Sequence, residues 1–282
     1  MRNPFVAPTI SRVFLGGRGD QSVPDEEVFP FIRLPNGTFK TTEANRMADV
    51  DERLAAILGR ESRDYDVLDV ACSSGTCTTE LAETLHKHGI RHRLFASDLY
   101  LHALRLLLPP FTILYCKDRF VLQVDVARYA FPNTPPSRLS SCIFAIARWL
   151  IGVGQSVGLP GIRVPLLSSA ARQTAIQFSD GDVFGELYQA DPALRFDVIR
   201  VANLLHTNYF TECEIERAIA NVKLHLRPGG FLVLARSEHK INRASIYWLR
   251  DSTWELVDHL HDHDEYARWM NGPSERESSP KH

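Results

Sequence analysis

The segment Asp69-Val70-Ala71-Cys72-Ser73-Ser74-Gly75 keeps the spacing of a D-x-G-x-G-x-G turn, with Ala71 and Ser73 at the first two glycine positions. Small residues at such a bend let the backbone approach a ligand, and a helix starting behind it offers N–H groups to electronegative atoms. Asp98 follows Gly75 by 23 residues, at the expected end of the next strand. There its two carboxylate oxygens can accept both hydroxyls of an adenosine ribose. Further on, Gly181-Asp182-Val183 offers a carboxylate for an adenine amino group and a neighbouring backbone N–H for a ring nitrogen. Each piece alone also suits a commoner role: a strand-to-helix connection, a helix N-cap, a polar turn. Their order along successive strand ends is what points to a nucleoside pocket.

Elements of alternating type must position these residues. Residues 67–71 form a short apolar run ended by Ser73-Ser74-Gly75, and Leu81, Ala82 and Leu85 mark one face of a helix reaching about His88. Residues 92–97 supply a second strand with Asp98 at its end. Leu101, Leu104 and Leu107 then suggest a helix that Pro109-Pro110 must stop. A hairpin turning at Lys117-Asp118, an apolar helix over residues 143–151 and Gly/Pro-rich loops interrupt the rhythm as an insertion of about 111–174 that faces substrate. Strands resume at residues 175–178, 196–203 and 231–235. Before the last of these, Thr211-x-x-Glu214 reads as a capping box ahead of Ile215, Ala218, Ile219 and Val222. Residues 245–249 and 254–260 pair as a closing hairpin.

Upstream, a Gly/Pro-rich arm with an Asn36-Gly37 turn leads to a helix carrying Met47, Val50, Leu54, Ile57 and Leu58. The expected organisation is an arm and helix over 1–64, a catalytic domain over 65–270 and a disordered tail over 271–282. The fold class is α/β: a doubly wound, Rossmann-like, mostly parallel sheet with a C-terminal antiparallel hairpin and an inserted hairpin and helical segment.

Across residues 65–260 this pattern resembles the class I S-adenosylmethionine-dependent methyltransferases. VLDVACSSG is the glycine-motif counterpart, Asp98 the ribose acid, and FDVIRVAN and LRPGGFLVLA the fourth and fifth strands. Within that superfamily it is most similar to the chemotaxis-receptor glutamate methyltransferases. The similarity lies in residues 71–75, in Ala96-Ser97-Asp98-Leu99, in Asn203-Leu204-Leu205 followed by Tyr209-Phe210, and in the stretch from Leu226 to Arg236-Ser237-Glu238. The resemblance implies S-adenosyl-L-methionine as cofactor, held by Asp69, Ala71, Cys72, Ser73, Gly75, Asp98, Leu99, Asp182, Val183, Asn203 and Leu204. Some positions depart from the chemotaxis pattern: Thr76-Cys77-Thr78-Thr79 replaces an acidic pair and an aromatic, and Ala202 stands where an arginine is expected.

A sulfonium methyl is already activated, so such an enzyme chiefly holds donor and acceptor in line and excludes water. An alcohol, phenol or amine acceptor would still lose a proton, and His206 and Tyr209, just past the fourth strand, are the catalytic candidates. The expected acceptor is an O or N nucleophile of a small molecule. A protein carboxylate is the alternative, and a non-catalytic scaffold the second.

Composition narrows the partners. The chain has 32 Lys+Arg against 34 Asp+Glu, so no net positive field gathers phosphate backbones and a nucleic-acid partner is not expected. Five cysteines (Cys72, Cys77, Cys116, Cys142, Cys213) without CxxC spacing, and a beginning without the apolar core of a secretory signal, suggest a cytoplasmic protein. The most apolar stretch, residues 139–154, contains Arg148, Gly152 and Gly154 and is too short to span a bilayer. His259, His261 and His263 alternate among Asp258, Asp262 and Asp264; a solvated sheet end is expected there, and no metal.

Overall fold

A computed structural model describes residues 29, 32–35, 37, 40, 44–126, 129–133, 138–159, 161–239, 241–261 and 266–270. The expectations for the N-terminal arm before residue 29, for Asn36, for Asp262, His263 and Asp264, and for the tail 271–282 lie outside these residues.

In chain order the elements are α1 (Ala48–Leu58), β1 (Tyr65–Val70), α2 (Thr76–Lys87), β2 (His92–Asp98), β3 (His102–Leu108), β4 (Phe111–Tyr115), β5 (Val121–Val126), β6 (Tyr129–Pro132), α3 (Arg138–Ser156) and β7 (Ile162–Pro165). There follow β8 (Gln177–Asp180), β9 (Phe196–Ala202), α4 (Glu212–His225), β10 (Leu226–Glu238), β11 (Ile241–Arg250), β12 (Thr253–Leu260) and α5 (Ala267–Met270). The chain divides into two compact units, Met1–Glu43 with Tyr100–Arg172 and Ala44–Leu99 with Gln173–His282.

The second of these units carries a seven-stranded sheet in the order β12-β11-β10-β9-β1-β2-β8. The five strands from β10 to β8 run parallel, and β11 and β12 close the other edge antiparallel. This is the doubly wound α/β sheet with a C-terminal hairpin that the strand and helix rhythm predicts. Every residue of β1 is buried, as a strand covered on both faces requires. Its alternate side chains feed two cores. Val67 packs with Leu54 and Leu58 of α1 and Leu81 and Leu85 of α2. Leu68 and Val70 pack with Ile215, Ile219 and Val222 of α4 and with Trp269 of α5.

Local chemistry fixes the ends of these elements. Thr211 Oγ1 accepts from Glu214 N while the Glu214 carboxylate accepts from Thr211 N, so the capping box is present. The β11–β12 hairpin turns on Asp251 and Ser252, both at positive φ (48° and 65°), as a two-residue turn that matches the strand twist demands. At the amino ends of the strands, Asp66 pairs with Arg93 and Arg227, and Asp197 pairs with Arg227 and accepts from Asp66 N.

The other unit holds a five-stranded antiparallel sheet, β6-β5-β4-β3-β7. The hairpin at Lys117-Asp118 and the apolar helix are both found, as β4–β5 and α3. The helix expected through Leu101, Leu104 and Leu107 is instead strand β3. Ala103 and Leu106 lie on opposite faces, one packed with Leu114 and Val164, the other with Ile113 and Phe144. β3 pairs with β4 and β7, and this two-sided burial outweighs a leucine spacing that a helix would also satisfy. Among the described residues no helix is long and apolar enough to cross a membrane.

Candidate functional site

The carboxyl ends of β1, β2, β8 and β9 lie side by side in the seven-stranded sheet, and the residues singled out from sequence gather there. After β1 the chain turns through Ala71 (φ 59°), Ser73 (φ 56°) and Gly75 (φ 78°) before entering α2. The three glycine-pattern positions therefore share the left-handed conformation, although two of them carry side chains. For an alanine or serine that conformation costs about 1–2 kcal/mol. Cys72 is buried and its N–H donates to Ser97 O at 3.0 Å; Gly75 N donates to Cys72 O at 2.8 Å.

Asp98 is buried at the end of β2, and its Oδ2 accepts from Ser73 N at 2.8 Å. The turn and the expected ribose acid are thus joined directly. Leu99, next along, is exposed. Asp98 O accepts from Gly181 N at 3.2 Å, which brings the turn after β8 alongside. In that turn Asp182 Oδ1 accepts from Phe184 N at 2.9 Å. Val183 is buried and its carbonyl accepts from Asn221 Nδ2 of α4 at 2.9 Å. A Cβ on Gly181 would press into the Leu187 carbonyl and stand 2.8 Å from Ser97 Cβ, so only glycine fits between these two strand ends.

After β9, Asn203 takes positive φ (56°). Its N donates to Ala235 O at 2.8 Å and its Oδ1 accepts from Ser237 N at 2.7 Å, tying this end to β10. Leu204 packs against the core under α4. The following loop places the His206 and Tyr209 rings edge to face, with centroids 6.3 Å apart. His206 Nδ1 accepts from Asn208 N at 2.9 Å, and its Nε2 contacts the Arg236 guanidinium, which also donates to Glu238 at 3.1 Å. Tyr209 is exposed.

Asp69 has a different setting from the other residues singled out. Arg200, 1% exposed in its side chain, donates from Nε to Asp69 Oδ1 at 2.9 Å and from Nη2 to Asp69 Oδ2 at 2.8 Å. The same guanidinium donates to Asp51 Oδ1 at 2.6 Å and to Cys77 O at 3.1 Å, while Thr78 Oγ1 donates to Asp69 Oδ2 at 2.5 Å. Burial pushes the Asp51 carboxyl up to about 6 against the pull of Arg200, with Asp69 and Glu80 adding to the rise. Burial alone would lower the Arg200 value, yet Asp51 and Asp69 together hold it well above the usual range. The Cys77 thiol, pushed up to about 11 by burial, stays protonated at neutral pH and is no nucleophile.

Arg200 and Asp51 were not among the sequence-derived candidates. The signal was present: an arginine inside the apolar run FDVIRVAN, and an aspartate one residue from Val50 on the apolar face of α1. A charge in such a place needs a buried partner. Among the described histidines of the C-terminal row, His259 lies in β12, and Asp258 beside it pairs with Arg53.

No protein-family model and no curated protein matches the chain. Solved structures do show likeness. The N-methyltransferase NodS from Bradyrhizobium japonicum, in complex with S-adenosyl-L-homocysteine, is 19% identical over 68% of this chain and 63% of its own, with a TM-score of 0.32. An amino pentose methyltransferase from Micromonospora echinaspora, bound to S-adenosylmethionine and involved in calicheamicin biosynthesis, is 16% identical over 77% of this chain and 74% of its own, with a TM-score of 0.31. A Listeria monocytogenes protein assigned to the class I S-adenosylmethionine-dependent methyltransferases gives 11%, 73%, 48% and 0.38 in the same order. The chain thus spans less than two thirds of the NodS structure. At these values the likenesses identify no acceptor, and the functional reading rests on the residues at the strand ends.

Proposed function

We propose that the protein is an S-adenosylmethionine-dependent methyltransferase acting on an O or N nucleophile of a small molecule. The observation that carries this reading is the left-handed turn at Ala71, Ser73 and Gly75, hydrogen-bonded through Ser73 N to the buried acid Asp98 at the end of the neighbouring strand. The small side chains of this turn fit a cofactor that must come close to backbone, and the start of α2 favours electronegative groups. When bound, S-adenosylmethionine supplies an activated sulfonium methyl.

The chain's own residues divide the remaining work. Ala71, Cys72, Ser73 and Gly75 form the cradle, and Asp69 sets its entry through Arg200. Asp98 with Leu99 takes the sugar, Asp182 with Val183 takes the base, and Asn203 with Leu204 forms the far wall. Asn208 N and Arg236 occupy the two ring nitrogens of His206, so His206 orients the acceptor's nucleophile, or takes its proton once the Arg236 contact opens, with Tyr209 shaping the mouth.

Calorimetric titration of S-adenosylmethionine and S-adenosylhomocysteine into the full chain tests the cofactor. Micromolar binding is expected, and its absence from the folded protein would sink the reading in favour of a non-catalytic scaffold. The resemblance of residues 71–75 and 203–210 to the chemotaxis-receptor enzymes supports a protein carboxylate as the second choice of acceptor. Base-labile methyl ester on protein, after incubation with labelled cofactor, would favour it over a small molecule.

A further inference from the structure

The turn between β1 and α2 poses a physical problem. Glycine adopts the left-handed conformation freely, whereas Ala71 and Ser73 adopt it only where their surroundings impose it. The cradle therefore has to be held from outside itself, and its two flanks are both bonded to one side chain. Before the turn, Asp69 receives two hydrogen bonds from Arg200 (2.9 and 2.8 Å); after it, Cys77 O receives a third (3.1 Å). Thr78 Oγ1 closes the loop by donating to Asp69 across the turn at 2.5 Å. Arg200 cannot wander from this position. It is fully buried in β9, and Asp51 of α1 holds its remaining Nη1 at 2.6 Å.

We propose that Arg200 is a positioning residue that staples residues 70–76 at both ends and so imposes on Ala71 and Ser73 the conformation that two glycines would otherwise supply. The staple explains how a chain lacking two of the three pattern glycines keeps the shape of the turn. It also assigns Asp69 its work, since a carboxylate committed to a guanidinium and a hydroxyl orients the strand end. The inference rests on the cofactor reading only where it speaks of ligand affinity; its claim about the turn stands apart.

The test compares the wild-type chain with Arg200→Lys and with Thr78→Val, each with and without Ala71→Gly plus Ser73→Gly. Thr78→Val keeps the side-chain shape and removes only the closing hydrogen bond, so it carries the test if Arg200→Lys does not fold. Two quantities are read: amide hydrogen exchange of peptides covering residues 71–76 without ligand, and S-adenosylhomocysteine affinity. Loss of the staple should speed exchange in those peptides about ten-fold relative to β9 and β10, and weaken binding by about five-fold or more. Restoring glycine should return affinity to within about three-fold of the wild type, because the turn no longer needs imposing. A merely structural arginine would lower stability without rescue by glycine. Unchanged exchange at 71–76 in a folded variant, or affinity that glycine does not recover, would overturn the proposal. If the wild type binds no S-adenosylhomocysteine, the functional reading fails, while the exchange data still decide the staple.

Discussion

Ser73 N and Asp98 Oδ2 lie 2.8 Å apart, so the turn after the first strand and the acid ending the second are one hydrogen-bonded unit. Asp98→Ala removes both the proposed ribose acceptor and the partner of a part-buried N–H. The fold should lose about 1–3 kcal/mol, and S-adenosylhomocysteine affinity should fall by about ten-fold or more. Calorimetry with a parallel urea titration separates the two losses; unchanged affinity would remove Asp98 from the site.

Gly181 sits where a methyl group would strike the Leu187 carbonyl and Ser97. Gly181→Ala should therefore push β8 away from β2, cost about 1–3 kcal/mol and weaken cofactor binding through Asp182, which follows it. A variant of wild-type stability and affinity would show that the two strand ends tolerate separation.

Asp51 gives the protein a pH dependence with a definite sign. Its carboxyl is raised from 3.8 to about 6 by burial, so the folded state holds the proton more tightly than the unfolded chain. The contribution is fully present below about pH 4 and is lost as pH rises through about 6, on the order of 3 kcal/mol. Asp51→Asn keeps an oxygen for Arg200 Nη1 and has no proton to lose. Urea midpoints at about pH 5 and about pH 8 should differ less in Asp51→Asn than in the wild type; an equal difference would place the titration elsewhere.

His206 and Tyr209 should affect turnover without affecting the cofactor. His206→Gln should slow methyl transfer by about a hundred-fold if the imidazole moves a proton, with S-adenosylhomocysteine affinity held within about two-fold. Tyr209→Phe should change KM for the acceptor more than kcat. Rapid turnover by His206→Gln would leave the histidine a spatial role only.

Thr211 caps α4, whose Asn221 holds the turn carrying Val183. Thr211→Ala should cost about 1 kcal/mol in urea unfolding. Binding should weaken little, since the cap lies ten residues from that hydrogen bond.

What the sequence determined by itself was whatever depends on local rules: period, punctuation and spacing. Alternation and capping located β1, β2, β9, α4 and the closing hairpin, and the order of small and acidic residues marked the strand ends where Asp98, Asp182 and Asn203 gather. The tertiary structure decided what depends on partners distant in the chain. The Leu101, Leu104 and Leu107 spacing fits a helix, and only pairing with residues 111–115 and 162–165 makes it a strand. Asp69 looked like a ligand-facing acid; Arg200, 131 residues away, and Thr78 hold its carboxylate. The left-handed conformation of Ala71 and Ser73 belongs to the same group, because nothing in an alanine or a serine calls for positive φ. Contacts from α1, β2, β9 and α2 impose it, and such contacts come into being only when the sheet has assembled.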